Sequence, residues 1–345
     1  MALRSLGKRG FAAALRTSGL TALGRARRRS SAVVLTYHGV LPAGRRHDPY
    51  LSRNCVDDDV FLAQMSFLRR HYHCVPLTDV VERLSSGKPM LPRTAVVTFD
   101  DGFRNNYRYA LPALKAAGVP ATVFVATGHI GNECLMLWTE RVAWLLQVAP
   151  ATLRTVPVGD ASVPVDLSSL DSRRDSSRRL LKQLKGTGTD MRDAAIAWLD
   201  AAAREAGAPD PDPDRYAFMD WDEVKALAAS GLVEIGSHTV THLLLATGTP
   251  EHRRAELRDS KAAIEQHVGL PCRLFAYPNG TAADFDDSDT RVLRELGYAA
   301  AVSQVPGVNA PGDDVYTLRR YNVSRGHGID TLAAMLAGVW PAGRT

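Results

Sequence analysis

Ala95-Val96-Val97-Thr98-Phe99-Asp100-Asp101-Gly102 runs from a short apolar stretch straight into two adjacent carboxylates and a glycine. Such a stretch predicts a strand, so the two acids fall where a strand gives way to a turn. A second apolar stretch, Leu232-Val233-Glu234-Ile235, is followed by Ser237-His238-Thr239-Val240-Thr241-His242. One carboxylate with two histidines is a ligand set for zinc or a similar divalent ion. The other carboxylate is then left as a base, and a metal-activated water beside a free carboxylate is the minimal apparatus of hydrolysis. The residues alone do not say which aspartate takes which part. Nor do they say whether the four-residue histidine spacing lies on a helix, which would bring both rings to one face, or in a loop.

Working outward, strands are expected over 32–36, 73–75, 95–98, 121–125, 233–236, 273–276, 299–303 and 318–323. Helices are expected over 60–71, 79–85, 107–117, 138–148, 222–229, 252–267, 290–296 and 331–339, several of them stopping at glycine. Strands alternating with helices indicate a parallel α/β fold. Seven or eight such units indicate a distorted (β/α)7-8 barrel, closed or nearly so, over residues 32–340. Residues 150–220 break the rhythm: a hairpin is expected within 156–165, a polar segment with Leu180, Leu181 and Leu184 follows, and an alanine-rich helix and a Pro-Asp linker complete an inserted, mostly helical segment. Four polar clusters each come directly after an expected strand: Tyr37-His38, Asp100-Asp101, Ser237-His238 and Tyr277-Pro278-Asn279. In a parallel barrel all strand C-termini open on one face, where barrel enzymes carry their chemistry.

The chain has 345 residues and a net charge of +5, yet eight of its 42 Lys/Arg fall within residues 1–31, where there is no acid. The remainder is slightly acidic, so the charge describes a basic arm and not a basic body, and a nucleic-acid partner is not indicated. Leu3, Leu6, Phe11, Leu15, Leu20 and Leu23 are spaced among the arginines as on an amphipathic helix. Arg16 interrupts the best apolar run, which argues against a secretory signal. Peripheral contact of the arm with an anionic membrane surface is the expected role. Four scattered cysteines without CxxC spacing do not indicate a disulfide framework, which leans toward a cytoplasmic or membrane-surface setting without deciding it.

The chain resembles the polysaccharide deacetylases of carbohydrate esterase family 4. Thr98-Phe99-Asp100-Asp101-Gly102 looks like the first motif of that family, Ser237-His238-Thr239-Val240-Thr241-His242 like the second, and Phe275-Ala276-Tyr277-Pro278-Asn279-Gly280 stands in the place of the third. The resemblance implies Asp100 as catalytic base, Asp101, His238 and His242 as ligands of one divalent metal ion, most often zinc, and a distorted (β/α) barrel. Many members carry Arg-x-Pro-Tyr in the third motif, whereas this chain has Ala276 and Asn279 there. Arg320, in Leu318-Arg319-Arg320-Tyr321 of the last expected strand, is the expected substitute for orienting Asp100. Leu35-Thr36-Tyr37-His38-Gly39-Val40 looks like the Tyr-His element of the subgroup that deacetylates exopolysaccharide such as poly-N-acetylglucosamine, which implies His38, in preference to His327, as the general acid. The loop Tyr277–Asn279 is expected to offer a backbone N–H to the oxyanion, and Tyr277, Trp138 and Trp221 either stack on sugar or pack in the core. The expected activity is hydrolysis of the acetamide of an N-acetylated glycan. The alternatives are another metal-dependent amidohydrolase or phosphoesterase, or a sugar-binding pseudoenzyme.

Overall fold

The computed structural model describes residues 30–45, 54–132 and 136–339. The basic arm therefore lies outside the described residues except for its last two positions, as does Cys134; Cys55, Cys74 and Cys272 are free thiols. No helix among the described residues is long and apolar enough to cross a membrane. The strands are β1 (Ala32–Tyr37), β2 (Gly39–Leu41), β3 (Cys55–Asp57), β4 (His73–Cys74), β5 (Thr94–Phe99), β6 (Ala121–Val125), β7 (Thr155–Val158), β8 (Ala161–Pro164), β9 (Val233–Ser237), β10 (Leu274–Ala276), β11 (Ala300–Val302) and β12 (Tyr321–Asn322). The chain divides into two compact units, one holding Phe218 onward together with the described residues up to 132, the other holding Cys134–Ala217.

In the first unit eight strands form one sheet in the order β11-β10-β9-β6-β5-β1-β12, with β4 also on β5. Every pairing in it is parallel. Between β11 and β12 the circuit is completed by irregular backbone. Leu318 bridges Val302 in parallel, its N–H donating to Ala301 and its carbonyl accepting from Ser303. This is the expected distorted barrel, and each of the eight strands overlaps an expected segment, with β1, β5 and β9 running one residue beyond it at one or both ends.

The interior follows from the two-residue period of a strand. Ala32 and Val34, Val96, Phe124, Leu274 and Ala276, Ala300 and Val302, and Leu318 form one buried cluster. Leu77, Val80 and Val81 of the helix Leu77–Ser85 close the same cluster. Glu234 of β9 accepts hydrogen bonds from the Leu77 N–H (3.1 Å), from Thr122 Oγ1 (2.9 Å) and from Thr78 Oγ1, and so caps that helix. Counting on by twos past the ends of β1, β5, β9 and β11 reaches His38, Asp100, His238 and Gln304, and counting on from the bridged Leu318 reaches Arg320. The register that packs the core therefore aims these five side chains toward the mouth of the barrel.

The second unit has its own core. The antiparallel hairpin β7–β8 and the helices Trp138–Val148, Leu170–Lys185 and Thr189–Glu205 bury Val142, Leu145, Leu146, Val156, Val158, Leu180, Leu184 and Leu199 together. Only Leu180 and Leu184 of the expected leucine stripe are fully buried. The helix Trp138–Val148, assigned by alternation to the barrel, belongs to this unit instead, because its buried face meets the hairpin and the two long helices.

Gly236 shows how tightly the barrel interior is filled. A Cβ there would lie 2.5 Å from the Phe124 ring and 3.0 Å from the Leu274 carbonyl. Gly236→Ala is expected to destabilise the protein by about 1–3 kcal/mol through overpacking, read as a lowered urea midpoint; an unchanged midpoint would mean that the interior has slack.

Candidate active site and metal centre

Asp100 directly follows β5, and its N–H donates to the carbonyl of Tyr37 on the neighbouring β1 (3.0 Å). Its carboxylate is buried and gripped end-on by a guanidinium. Arg320 Nη1 donates to Oδ1 (2.7 Å) and Nη2 to Oδ2 (2.8 Å). Arg320 itself is 0% exposed, and it is fixed by donating Nε to the Ser303 carbonyl (2.8 Å) and Nη1 to Thr98 Oγ1 (3.1 Å). Arg320, which directly precedes β12, is thus the arginine that contacts this carboxylate, whereas position 276 carries alanine. Burial alone would raise the Asp100 pKa, but Arg320, and then the histidines nearby, hold it below the ordinary carboxylate value.

Asp101 points elsewhere. Its backbone is left-handed, with φ 78°, which turns it out of the alternation that governs Asp100. Its Oδ1 lies 3.5 Å from Nε2 of His238 and 3.5 Å from Nε2 of His242. The residues 238–242 form no helix. Their rings converge, with centroids 5.0 Å apart, because Thr239 and His242 are left-handed too, with φ 64° and 58°. Glu256, on the helix Pro250–Val268, ties this loop down: its carboxylate accepts from the N–H groups of Val240 (2.7 Å) and Thr241 (2.9 Å) and from Thr241 Oγ1 (2.8 Å). From the other side, Thr127 and Gly128 donate N–H groups to the carbonyls of Thr239 and Val240.

Donor chemistry and spacing suit a metal ion. His238 Nδ1 donates to the Ala276 carbonyl (2.7 Å), and since a carbonyl only accepts, Nε2 keeps its lone pair for a ligand. Bonds of ~2.0–2.2 Å at a tetrahedral angle set two donors about 3.4 Å apart, close to the separations here. The ligand atoms of Asp101, His238 and His242 all lie within 4.8 Å of one another. Charges in the cluster point the same way. Burial would raise Asp101, but the histidines hold it well below the carboxylate range. Burial and the charge of His238 push His242 down to about 3. Burial would lower His238 as well, but the two aspartates draw it upward. Together these directions favour an ionised Asp101 beside a neutral His242, the protonation states in which both side chains can act as ligands.

The remaining expected residues divide. His38 follows β1, whose Tyr37 pairs with Phe99, so His38 lies level with Asp100; its carbonyl accepts from Asn106 Nδ2 (2.8 Å). His327 is buried in a separate network, its Nδ1 accepting from the Ser324 N–H (3.1 Å). Tyr277 corrects the expectation. Its ring stacks on Phe285 at 3.8 Å, its hydroxyl donates to the Tyr316 carbonyl, and its N–H donates to Val302. Neither ring nor N–H is left for a substrate, and Pro278 has no N–H, which leaves the N–H of Asn279, with φ 56°, as the candidate donor of the expected loop. Trp221 stacks on His267 (4.2 Å) and Trp138 lies under Arg192, both packing contacts. His129 packs against Phe218. Glu256 and Gln304 were not singled out from sequence. Glu256 reads there as one more helix charge. Gln304 obeys the rule that found the others, being a polar residue directly after an expected strand.

The sequence profile of the family described as Polysaccharide deacetylase matches residues 87–301. A Bacillus subtilis (strain 168) protein, YxkH, named as a candidate polysaccharide deacetylase, is 21% identical over 267 residues, covering 77% of this chain and 64% of that protein. A Staphylococcus epidermidis protein named Poly-beta-1,6-N-acetyl-D-glucosamine N-deacetylase is 30% identical over 118 residues, covering 30% of this chain and 39% of that protein. The chain thus spans less than two thirds of either relative. The solved Streptococcus pyogenes deacetylase PplD, in complex with acetate, superposes with a TM-score of 0.58 at 18% identity, covering 89% of this chain and 98% of that chain, a likeness of fold. With the profile match spanning more than half its length, the chain belongs to the polysaccharide deacetylase family.

Proposed function

We propose that the protein is a metal-dependent N-deacetylase that hydrolyses the acetamide of an N-acetylated sugar in a glycan, releasing acetate and a free amine. The observation that carries this reading is the division of labour between neighbouring aspartates: Asp101 faces two histidine nitrogens, whereas Asp100 is turned away and clamped by Arg320. Asp101, His238 and His242 would hold the ion, for which zinc suits the donor set. When bound, it supplies a Lewis acid for the acetyl carbonyl and lowers the pKa of water from 15.7 toward ~7.

The chain's own groups complete the reaction. Asp100 accepts the proton of the attacking water. Arg320 keeps that carboxylate ionised and in one orientation. The Asn279 N–H donates to the oxyanion that develops on the acetyl oxygen. His38, level with Asp100 on the adjacent strand, protonates the departing nitrogen, which would otherwise leave as an amide anion. The name of the staphylococcal relative supports a polymer of N-acetylglucosamine as substrate. The charge and leucine spacing of residues 1–31 support peripheral contact with an anionic membrane surface.

The deciding experiment measures acetate release from β-1,6- and β-1,4-linked acetylated oligomers before chelation, after it, and after metal add-back. Activity is expected to vanish on chelation and to return with zinc. Glycan binding by the zinc-loaded protein without acetate release would replace the proposal with a binding role. Asp100→Asn is expected to retain the ion and lose about 10²–10⁴-fold in turnover, whereas His242→Ala loses ion and activity together; intact turnover in Asp100→Asn would remove the base assignment. Glu256→Ala, which frees the histidine loop, is expected to weaken metal affinity by about 10–100-fold in a competition titration with a chromogenic chelator.

A further inference from the structure

Two donors converge on one oxygen of Asp100. Oδ2 accepts from Arg320 Nη2 (2.8 Å) and from Gln304 Nε2 (3.0 Å), whereas among the described residues Oδ1 accepts from Arg320 Nη1 (2.7 Å) alone. A carboxylate oxygen has two lone pairs, so Oδ2 is filled and Oδ1 keeps one free. The orientation of the Gln304 amide is also settled. A carboxylate offers no proton, so the amide must turn its nitrogen to Asp100 and its oxygen away. That oxygen, Oε1, is enclosed and has no hydrogen-bond partner among the described residues.

The backbone seats Gln304 firmly. Its N–H donates to the Gly280 carbonyl (2.7 Å), in the loop that carries Asn279. Gly280 has φ 64°, and a Cβ there would lie 2.9 Å from the Gln304 nitrogen, so only glycine permits this approach. Gln304 therefore joins the base to the loop offering the Asn279 N–H. The register of β11 directs its side chain to the same mouth as Asp100.

We infer that Gln304 is a two-sided residue of this active site: its Nε2 fills Oδ2 of Asp100 so that Oδ1 receives the proton, and its Oε1 accepts a hydrogen bond from the N-acetylated sugar. The inference rests on the deacetylase reading above. It adds a positioning contact and a substrate contact to one side chain. An acceptor at this place favours a sugar presenting a donor, the acetamide N–H or a neighbouring hydroxyl, over an O-acetyl ester lacking that N–H.

Two variants separate the two contacts. Gln304→Met has neither amide group, so kcat is expected to fall by about 10-fold as Asp100 loses its fixed orientation, and KM to rise by about 3–10-fold for one lost hydrogen bond. Gln304→Glu retains the acceptor but sets an acid against Asp100, so kcat falls while KM stays within about twofold of wild type. Glycan binding to the Asp100→Asn protein, followed by calorimetry, should weaken by the same about 3–10-fold when Gln304→Met is added, and metal content should not change. If the wild type releases acetate and both variants match its kcat and KM, the inference is overturned and the deacetylase reading stands. If the Met variant loses kcat alone, with calorimetric affinity unchanged, the sugar contact is overturned. If the wild type releases no acetate from any N-acetylated glycan, the deacetylase reading falls and takes this inference with it. Comparing N-acetyl with O-acetyl oligomers separates the two donors: a penalty confined to N-acetyl substrates assigns the contact to the acetamide N–H, and an equal penalty assigns it to a hydroxyl.

Discussion

The buried pair of Arg320 and Asp100 is the constraint around which this site is arranged. Both partners are almost wholly buried, so each would be costly without the other; removing one partner of such a pair typically costs about 3–5 kcal/mol, because it strands a buried charge. The geometry answers that cost with two parallel hydrogen bonds, a third from Gln304, and further partners for the guanidinium on Ser303 and Thr98. Arg320 also lies over the Phe124 ring, with its Cζ 5.7 Å from the centroid, at the boundary between the apolar interior and the polar mouth. The same residue thus ends the core and begins the chemistry. It also joins the end of β5, through Thr98 and Asp100, to Ser303 at the end of β11, beside the gap where regular pairing is interrupted.

A second constraint is the alternation of side chains along parallel strands. Residues of one parity fill the barrel with Val34, Val96, Phe124, Ala276 and Val302. One or two steps on, the same parity delivers His38, Asp100, His238, Gln304 and Arg320. Packing energy therefore sets the aim of the polar groups, since a slip of one residue would expose the core and scatter the site together. Asp101 and His242 escape this alternation by adopting left-handed backbone, as do Thr239 and Asn279. Such conformations cost roughly 1–3 kcal/mol each in residues other than glycine. They are held by their surroundings: Glu256 with three hydrogen bonds on the histidine loop, and the Thr127–Gly128 backbone on its other side. Strain gathered at one place and held there is the signature of a site whose geometry is worth more than its local stability.

Much of this was legible in the chain itself. The alternation of apolar runs with helical segments specified a parallel barrel, because burying strands on both faces demands that pattern wherever it occurs. Asp100-Asp101-Gly102 and His238 to His242 were legible for a related reason: chemistry that needs adjacent groups writes them next to one another. The tertiary structure alone decided what depends on distant chain meeting distant chain. It turned Asp100 and Asp101 to different partners, Arg320 and the two histidines, through one left-handed backbone angle. It brought Arg320 across 220 residues to the Asp100 carboxylate, and it consumed the ring and N–H of Tyr277 in packing. It assigned the helix Trp138–Val148 to the second unit, whose hairpin and long helices cover its apolar face. Glu256 carries no local mark of its contacts with the histidine loop, and the position of Gln304 after a strand does not by itself reveal its contact with Asp100, for a single polar side chain acquires partners only from what the fold places within about 3 Å of it.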